Sequence, residues 1–99
     1  MEPEEDETPV VSQPIRVRYW AAARTAAGCD SEDIAALGPM SLADVVAEVL
    51  RRHPGTRLPE VIGVCSVLLG DRPVATEDPA SVGVAPGTSV EFLPPFAGG

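Results

Sequence analysis

Eleven prolines and nine glycines in 99 residues set the tightest limit on what this chain can fold into. Proline removes a backbone donor and fixes φ, and glycine weakens helix and strand interiors, so both punctuate regular structure. At this density they leave room for one helix of real length among several short strands. A chain of this length is a single domain. Its 44% hydrophobic and 22% charged content is globular. The expected architecture is α+β, with one main helix packed on a mixed sheet.

The elements follow from local pattern. Ile15, Val17, Tyr19 and Ala21 alternate with Arg16, Arg18 and Trp20, the period-two signature of a half-buried strand. Residues 21–27 are alanine-rich and read as a short helical turn stopped at Gly28, and residues 32–37 read as a second strand. In residues 41–52, Leu42, Val45, Val46, Val49 and Leu50 share one continuous helical face. Ser41 suits the N-cap with Asp44 three positions on, Arg51 and Arg52 complement the C-terminal dipole, and His53, Pro54 and Gly55 end the helix. A linker around Pro59 leads to a strand at 65–69, which Gly70 and Asp71 turn towards a partner near 73–75. Ala85, Pro86, Gly87 and Thr88 have proline and glycine where a type II turn wants them. They launch a last strand, 89–93, with Val90 and Phe92 on one side and Glu91 and Leu93 on the other. The domain proper thus spans 15–93. The segment before it, 1–14, holds Glu2, Glu4, Glu5, Asp6 and Glu7 with no basic residue and reads as a disordered, solvated leader.

Charge excludes some functions. Fifteen acidic residues face seven basic ones, all Arg, for a net charge of −8. Nucleic-acid binding needs a basic face to neutralise phosphates, and an anionic membrane repels an acidic chain, so neither is an expected partner. The N-terminal stretch has neither the basic start nor the apolar core of a signal peptide. Two cysteines and a single histidine make no disulfide framework and no metal-ligand spacing, so no metal is expected and the setting is cytoplasmic. Cys65 sits in an apolar run and reads as a buried, inert thiol. Cys29, beside Asp30, reads as a more exposed thiol that neighbouring acids keep protonated. His53 reads as part of the helix-end electrostatics. No phosphate loop or catalytic constellation emerges.

The remaining signal is Leu93, Pro94, Pro95, Phe96, Ala97, Gly98 and Gly99. Two prolines cannot continue a strand's ladder and favour an extended exit. Phe96 offers an anchor, and the last residues taper to bare backbone. Residues 94–99 could reach about 20 Å from the globule at roughly 3.3 Å per residue. Such a tail can thread a narrow channel and present the Gly99 carboxylate to another protein's active site.

With the residues 15–21 (IRVRYWA), the Ser41 and Leu42 helix start, and the residues 87–99 (GTSVEFLPPFAGG), the chain resembles the MoaD/ThiS family of sulfur carriers. The resemblance covers about residues 15–99 and implies a ubiquitin-like β-grasp fold. The Pro-Pro-x-x-Gly-Gly ending is similar to that of the molybdopterin synthase small subunit, while the acidic leader departs from the family's compact pattern. The resemblance implies no bound cofactor. An adenylating enzyme of the ubiquitin-activating type would spend ATP on the Gly99 carboxylate, and a sulfur donor enzyme would convert it to a thiocarboxylate. The tail, Pro94 to Gly99, would then enter the large synthase subunit. It also implies a docking surface at Trp20 and Leu93, whose strand neighbours are polar; Trp20 alternatively closes the edge of the core. Three other functions fit the residues: a carrier for thiazole or cysteine synthesis, a ubiquitin-like modifier joined through Gly99, and an interaction module without C-terminal chemistry.

Overall fold

The computed structural model describes residues 13–74 and 78–95. Five strands form one mixed sheet. The first, β1 (Ile15–Tyr19), is followed by a short helix, α1 (Ala21–Ala27), and an edge strand, β2 (Ser31–Ile34). A two-residue strand, β3 (Met40–Ser41), precedes the main helix, α2 (Leu42–Arg52), and a five-residue helix, α3 (Leu58–Ile62). The hairpin of β4 (Ser66–Leu69) and β5 (Arg72–Val74) comes next, then a 3-10 turn at Pro79–Ser81, β6 (Gly83–Val84) and finally β7 (Ser89–Leu93).

The sheet order is β2-β1-β7-β4-β5, while β3 and β6 pair separately. The first and last strands lie side by side and parallel, with Val17 opposite Val90 and Tyr19 opposite Phe92. The other pairings are antiparallel. Register follows from burial: Ile15, Val17, Tyr19, Val90 and Phe92 are all buried, so a slip of one residue would turn the apolar set to solvent. Ala23, Val45, Val49 and Leu58 from the three helices join the same core, so the helices cover one sheet face. Phe92, fully buried, stacks on Tyr19 with ring centroids 6.1 Å apart.

The expected turns and caps are present. Asp44 donates its backbone N–H to Ser41 Oγ at 3.0 Å, the N-cap bond that starts α2. Gly28, at φ 80°, caps α1 and donates to Arg24 O at 2.9 Å. Thr88 N–H closes the turn on Ala85 O at 3.1 Å, with Gly87 at φ 87°. Gly87 N–H also reaches Pro14 O at 3.0 Å, tying the entry of β1 to that of β7.

Three expectations need correction. The linker around Pro59 contains a helix, α3, with proline in its first turn, where the missing N–H costs no intrahelical bond. The second strand ends at Ile34 and begins at Ser31, because pairing with β1 and not local apolarity defines it. The hairpin strands are Ser66–Leu69 and Arg72–Val74, set by the Gly70 turn at φ 62°. Ala75 and Glu77 lie outside the described residues, as does the leader up to Ser12.

Candidate functional site

The sheet face away from the helices carries the expected docking residues. Because β1 and β7 run parallel, Arg18 stands opposite Glu91, and Leu93 lies one step on along β7. Trp20 sits just past β1, in extended conformation at the start of α1, and is 41% exposed. It lies outside the buried core. Its indole Nε1–H donates to Glu91 Oε1 at 2.8 Å, and the Arg18 guanidinium lies 5.2 Å from the ring centroid. The ring is thus held at its polar edge and on one face while remaining open to solvent, the posture of an amphipathic contact residue. Leu93 is half-buried, opposite Ser66 of β4.

Leu68, half-buried and opposite Glu91, completes this apolar strip. Sequence reasoning missed it, although the alternation of Val67, Leu68 and Leu69 held the signal once the inner face was known. Arg16 does not offer a free positive charge here: Asp33 accepts from its Nε at 2.9 Å and from Nη2 at 3.4 Å. That pair holds the Asp33 carboxyl below the usual carboxylate range and raises the guanidinium.

The strip leads to the tail. Among the described residues Leu93 makes the last ladder pairing, Pro94 is half-buried and Pro95 exposed, so the chain leaves the sheet beside this apolar strip. The remaining tail residues, Phe96, Ala97, Gly98 and Gly99, lie outside the described residues.

A second cluster forms on the opposite flank. Tyr19 O–H donates to Glu32 Oε2 at 2.5 Å, and His53 Nε2 lies 2.6 Å from the same oxygen. An ionised carboxylate only accepts, so the imidazole Nε2 carries the hydrogen in this contact. Arg52 Nη1 reaches Glu32 Oε1 at 3.4 Å and Asp33 O at 3.0 Å, while its Nε donates to Glu48 at 2.8 Å. Burial opposes ionisation of Glu32, but the bonds from Tyr19, His53 and Arg52 outweigh it and lower its pKa. Burial, then hydrogen bonding and the charge of Glu32, push the Tyr19 hydroxyl far up. His53 and Arg52 are therefore more than helix-end charges: they staple α2 to the edge strand. Cys29 stands beside this group, and its Sγ, a Glu32 carboxylate oxygen and an imidazole nitrogen all lie within 4.8 Å of one another. Its thiol is pushed up by burial first, then by Glu32 and Asp30, so the expected acid effect is real but secondary. Cys65 is half-buried where full burial was expected; its Sγ donates to Val61 O at 3.2 Å, and burial pushes its pKa up to about 11.

The fold is the ubiquitin-like β-grasp. Solved structures with the same architecture include a molybdopterin converting factor subunit 1 from Pyrococcus furiosus, at 22% identity and TM-score 0.69, covering 86% of this chain and all of that one. The modifier SAMP1 from Haloferax volcanii matches at 19% identity and TM-score 0.71, over 87% of this chain and 99% of that one. Residues 17–99 match the ThiS family, and the chain belongs to it. It is a small sulfur carrier of the MoaD/ThiS type. A molybdopterin synthase sulfur carrier subunit from Aspergillus niger is 31% identical over 88 residues, 89% of this chain and 97% of that protein. Subunits 1 and 2 of the molybdopterin-converting factor from Helicobacter pylori form a complex whose similar chain matches at 23% identity and TM-score 0.60, over 88% of this chain and all of that one. Among the described residues no helix is long and apolar enough to cross a membrane.

Proposed function

We propose that this chain is the sulfur-carrying small subunit of a molybdopterin synthase. The observation that carries the reading is the 31% identity across nearly the whole of a sulfur carrier subunit of that synthase. The Pro94, Pro95, Gly98 and Gly99 ending supports it from the residues. A carboxylate is a poor electrophile until one oxygen becomes a good leaving group. In the proposed cycle a Gly99 carboxylate oxygen bonds to the α-phosphorus of ATP, held by an activating enzyme, and pyrophosphate leaves. A donor enzyme then delivers sulfur at the sulfide level, whose attack on the carbonyl carbon expels AMP and leaves a thiocarboxylate. The tail enters the large subunit, where the sulfur passes to a pterin precursor and water restores the Gly99 carboxylate.

This chain's part is geometric. The central strand β7 anchors one end of the tail by ladder bonds, and Pro94 and Pro95 stiffen its exit. Trp20, Leu68 and Leu93 form the apolar strip that a large subunit would cover, with Glu91 and Arg18 holding the indole in place. The ATP site and its cations belong to the partner.

Co-expression with the activating enzyme and a sulfur donor tests this by intact mass. The expected product has one C-terminal oxygen replaced by sulfur, and the loaded protein converts precursor when the large subunit is added. Covalent attachment to lysines of other proteins, with no sulfur form, would establish the modifier reading instead. A sulfur form that the large synthase subunit cannot unload would point to another acceptor.

A further inference from the structure

Cys29, Glu32 and His53 take no part in the proposed sulfur chemistry, yet their three side chains converge. The geometry points to a binding site for a zinc-class divalent cation, with Cys29 Sγ, Glu32 Oε2 and His53 Nε2 as its protein ligands. One thiolate, one imidazole and one carboxylate lie within the donor range that zinc accepts. Ligand atoms on a zinc tetrahedron stand roughly 3.3 to 3.6 Å apart, given its usual bond lengths. The cluster is compatible with that spacing: His53 Nε2 and Glu32 Oε2 are 2.6 Å apart, and Cys29 Sγ, a Glu32 carboxylate oxygen and an imidazole nitrogen lie within 4.8 Å of one another. An entering ion has to part the first pair by about 1 Å on that geometry and bring Cys29 Sγ to bonding distance, about 2.3 Å.

The chain permits both movements. Cys29 follows Gly28, in the left-handed conformation, in the short connection between α1 and β2, so its Sγ moves without breaking a ladder bond. His53 caps the end of α2, immediately before Pro54 and Gly55. Glu32 is the fixed member, on strand β2 and held by Tyr19 O–H and Arg52. Those two are outer partners that aim the carboxylate, as metal sites commonly require. On binding, Cys29 releases its thiol proton to solvent and His53 carries its hydrogen on Nδ1, which turns the Nε2 lone pair to the ion. No electron is exchanged. The thiolate and carboxylate balance the ion's charge, and a water fills the fourth position.

Titration of the full chain with Co2+, a spectroscopic substitute for Zn2+, tests the site. One equivalent should raise a thiolate-to-cobalt charge-transfer band that Zn2+ then removes. Cys65→Ser should keep the band and Cys29→Ser should abolish it. His53→Gln should weaken binding at least about tenfold, the loss that even an outer partner can cause. In the unaltered protein, one equivalent of Zn2+ should slow alkylation of Cys29 by at least about tenfold, because a ligated thiolate is withdrawn as nucleophile. Alkylation of Cys65 should not change. The absence of a thiolate band at saturating Co2+, a band that survives Cys29→Ser, or unaltered Cys29 alkylation each overturns the site and leaves only a hydrogen-bonded cluster.

Discussion

Single side chains carry two different kinds of work here. Glu48 accepts from Arg51 Nη2 at 2.6 Å and from Arg52 Nε at 2.8 Å, and these bonds hold its carboxyl down to about 2. A depressed carboxyl contributes its stability above the ordinary carboxylate range and loses it as pH falls through the folded value. A carboxyl-resolved NMR titration should therefore place Glu48 near 2. Replacing Arg51 and Arg52 together by Ala should return it towards the ordinary range. Trp20 is the opposite case, since its exposure contributes little to the fold. Trp20→Ala should cost about 1 kcal/mol or less in a thermal melt. The same change should weaken binding to the large subunit roughly 30-fold, the about 2 kcal/mol of an interface hot spot. Equal losses in both measurements would return Trp20 to the core edge.

Elements were legible in proportion to their length and to how local their causes are. The apolar face of α2 spans eleven residues and repeats with the helical period, so its start, cap and end could all be read. Ser41→Ala tests the cap directly: it should lower stability by about 1 kcal/mol and fray the first turn of α2, seen as faster amide exchange there. β1 and β7 were legible because alternation reveals which face is buried. α3 was not, since five residues show no period and Pro59 reads equally as a linker or a first turn. The two-residue strands β3 and β6 exist only through each other, with Met40 opposite Val84, and a pairing leaves no local trace. The same reason hid the Tyr19, Glu32, His53 and Cys29 cluster. Its members come from a central strand, an edge strand, a helix end and a connection, and only the tertiary fold brings them together. The apolar strip on the outer sheet face was half legible: Trp20 and Leu93 stood out by strand alternation, whereas Leu68 required the register of β4 on β7.

In the whole molecule, charge is divided unevenly between residues 15–99 and the segment before them. Of the net charge of −8, residues 15–99 carry −3, from seven arginines against ten acids, and the leader carries the rest. At the other end, Pro94 and Pro95 follow the ladder without joining it. β7 lies at the centre of the sheet, so its residues anchor both neighbours, whereas among the described residues Leu93 is the last to pair. Two changes a few residues apart should consequently have opposite signatures. Phe92→Ala removes a fully buried ring stacked on Tyr19 and should cost about 3–5 kcal/mol. That is a large share of the 5–15 kcal/mol or so that keeps a typical domain folded, so the melting temperature should collapse. Removing Gly98 and Gly99, which follow the ladder pairing of Leu93 by several residues in the sequence, should leave the melt unchanged. It should nevertheless abolish sulfur loading when the activating enzyme and donor are supplied, because the carboxylate is then presented from a shorter tail ending in Ala97. A truncated protein that still loads sulfur would show that reach and terminal glycine are not what the activating site requires.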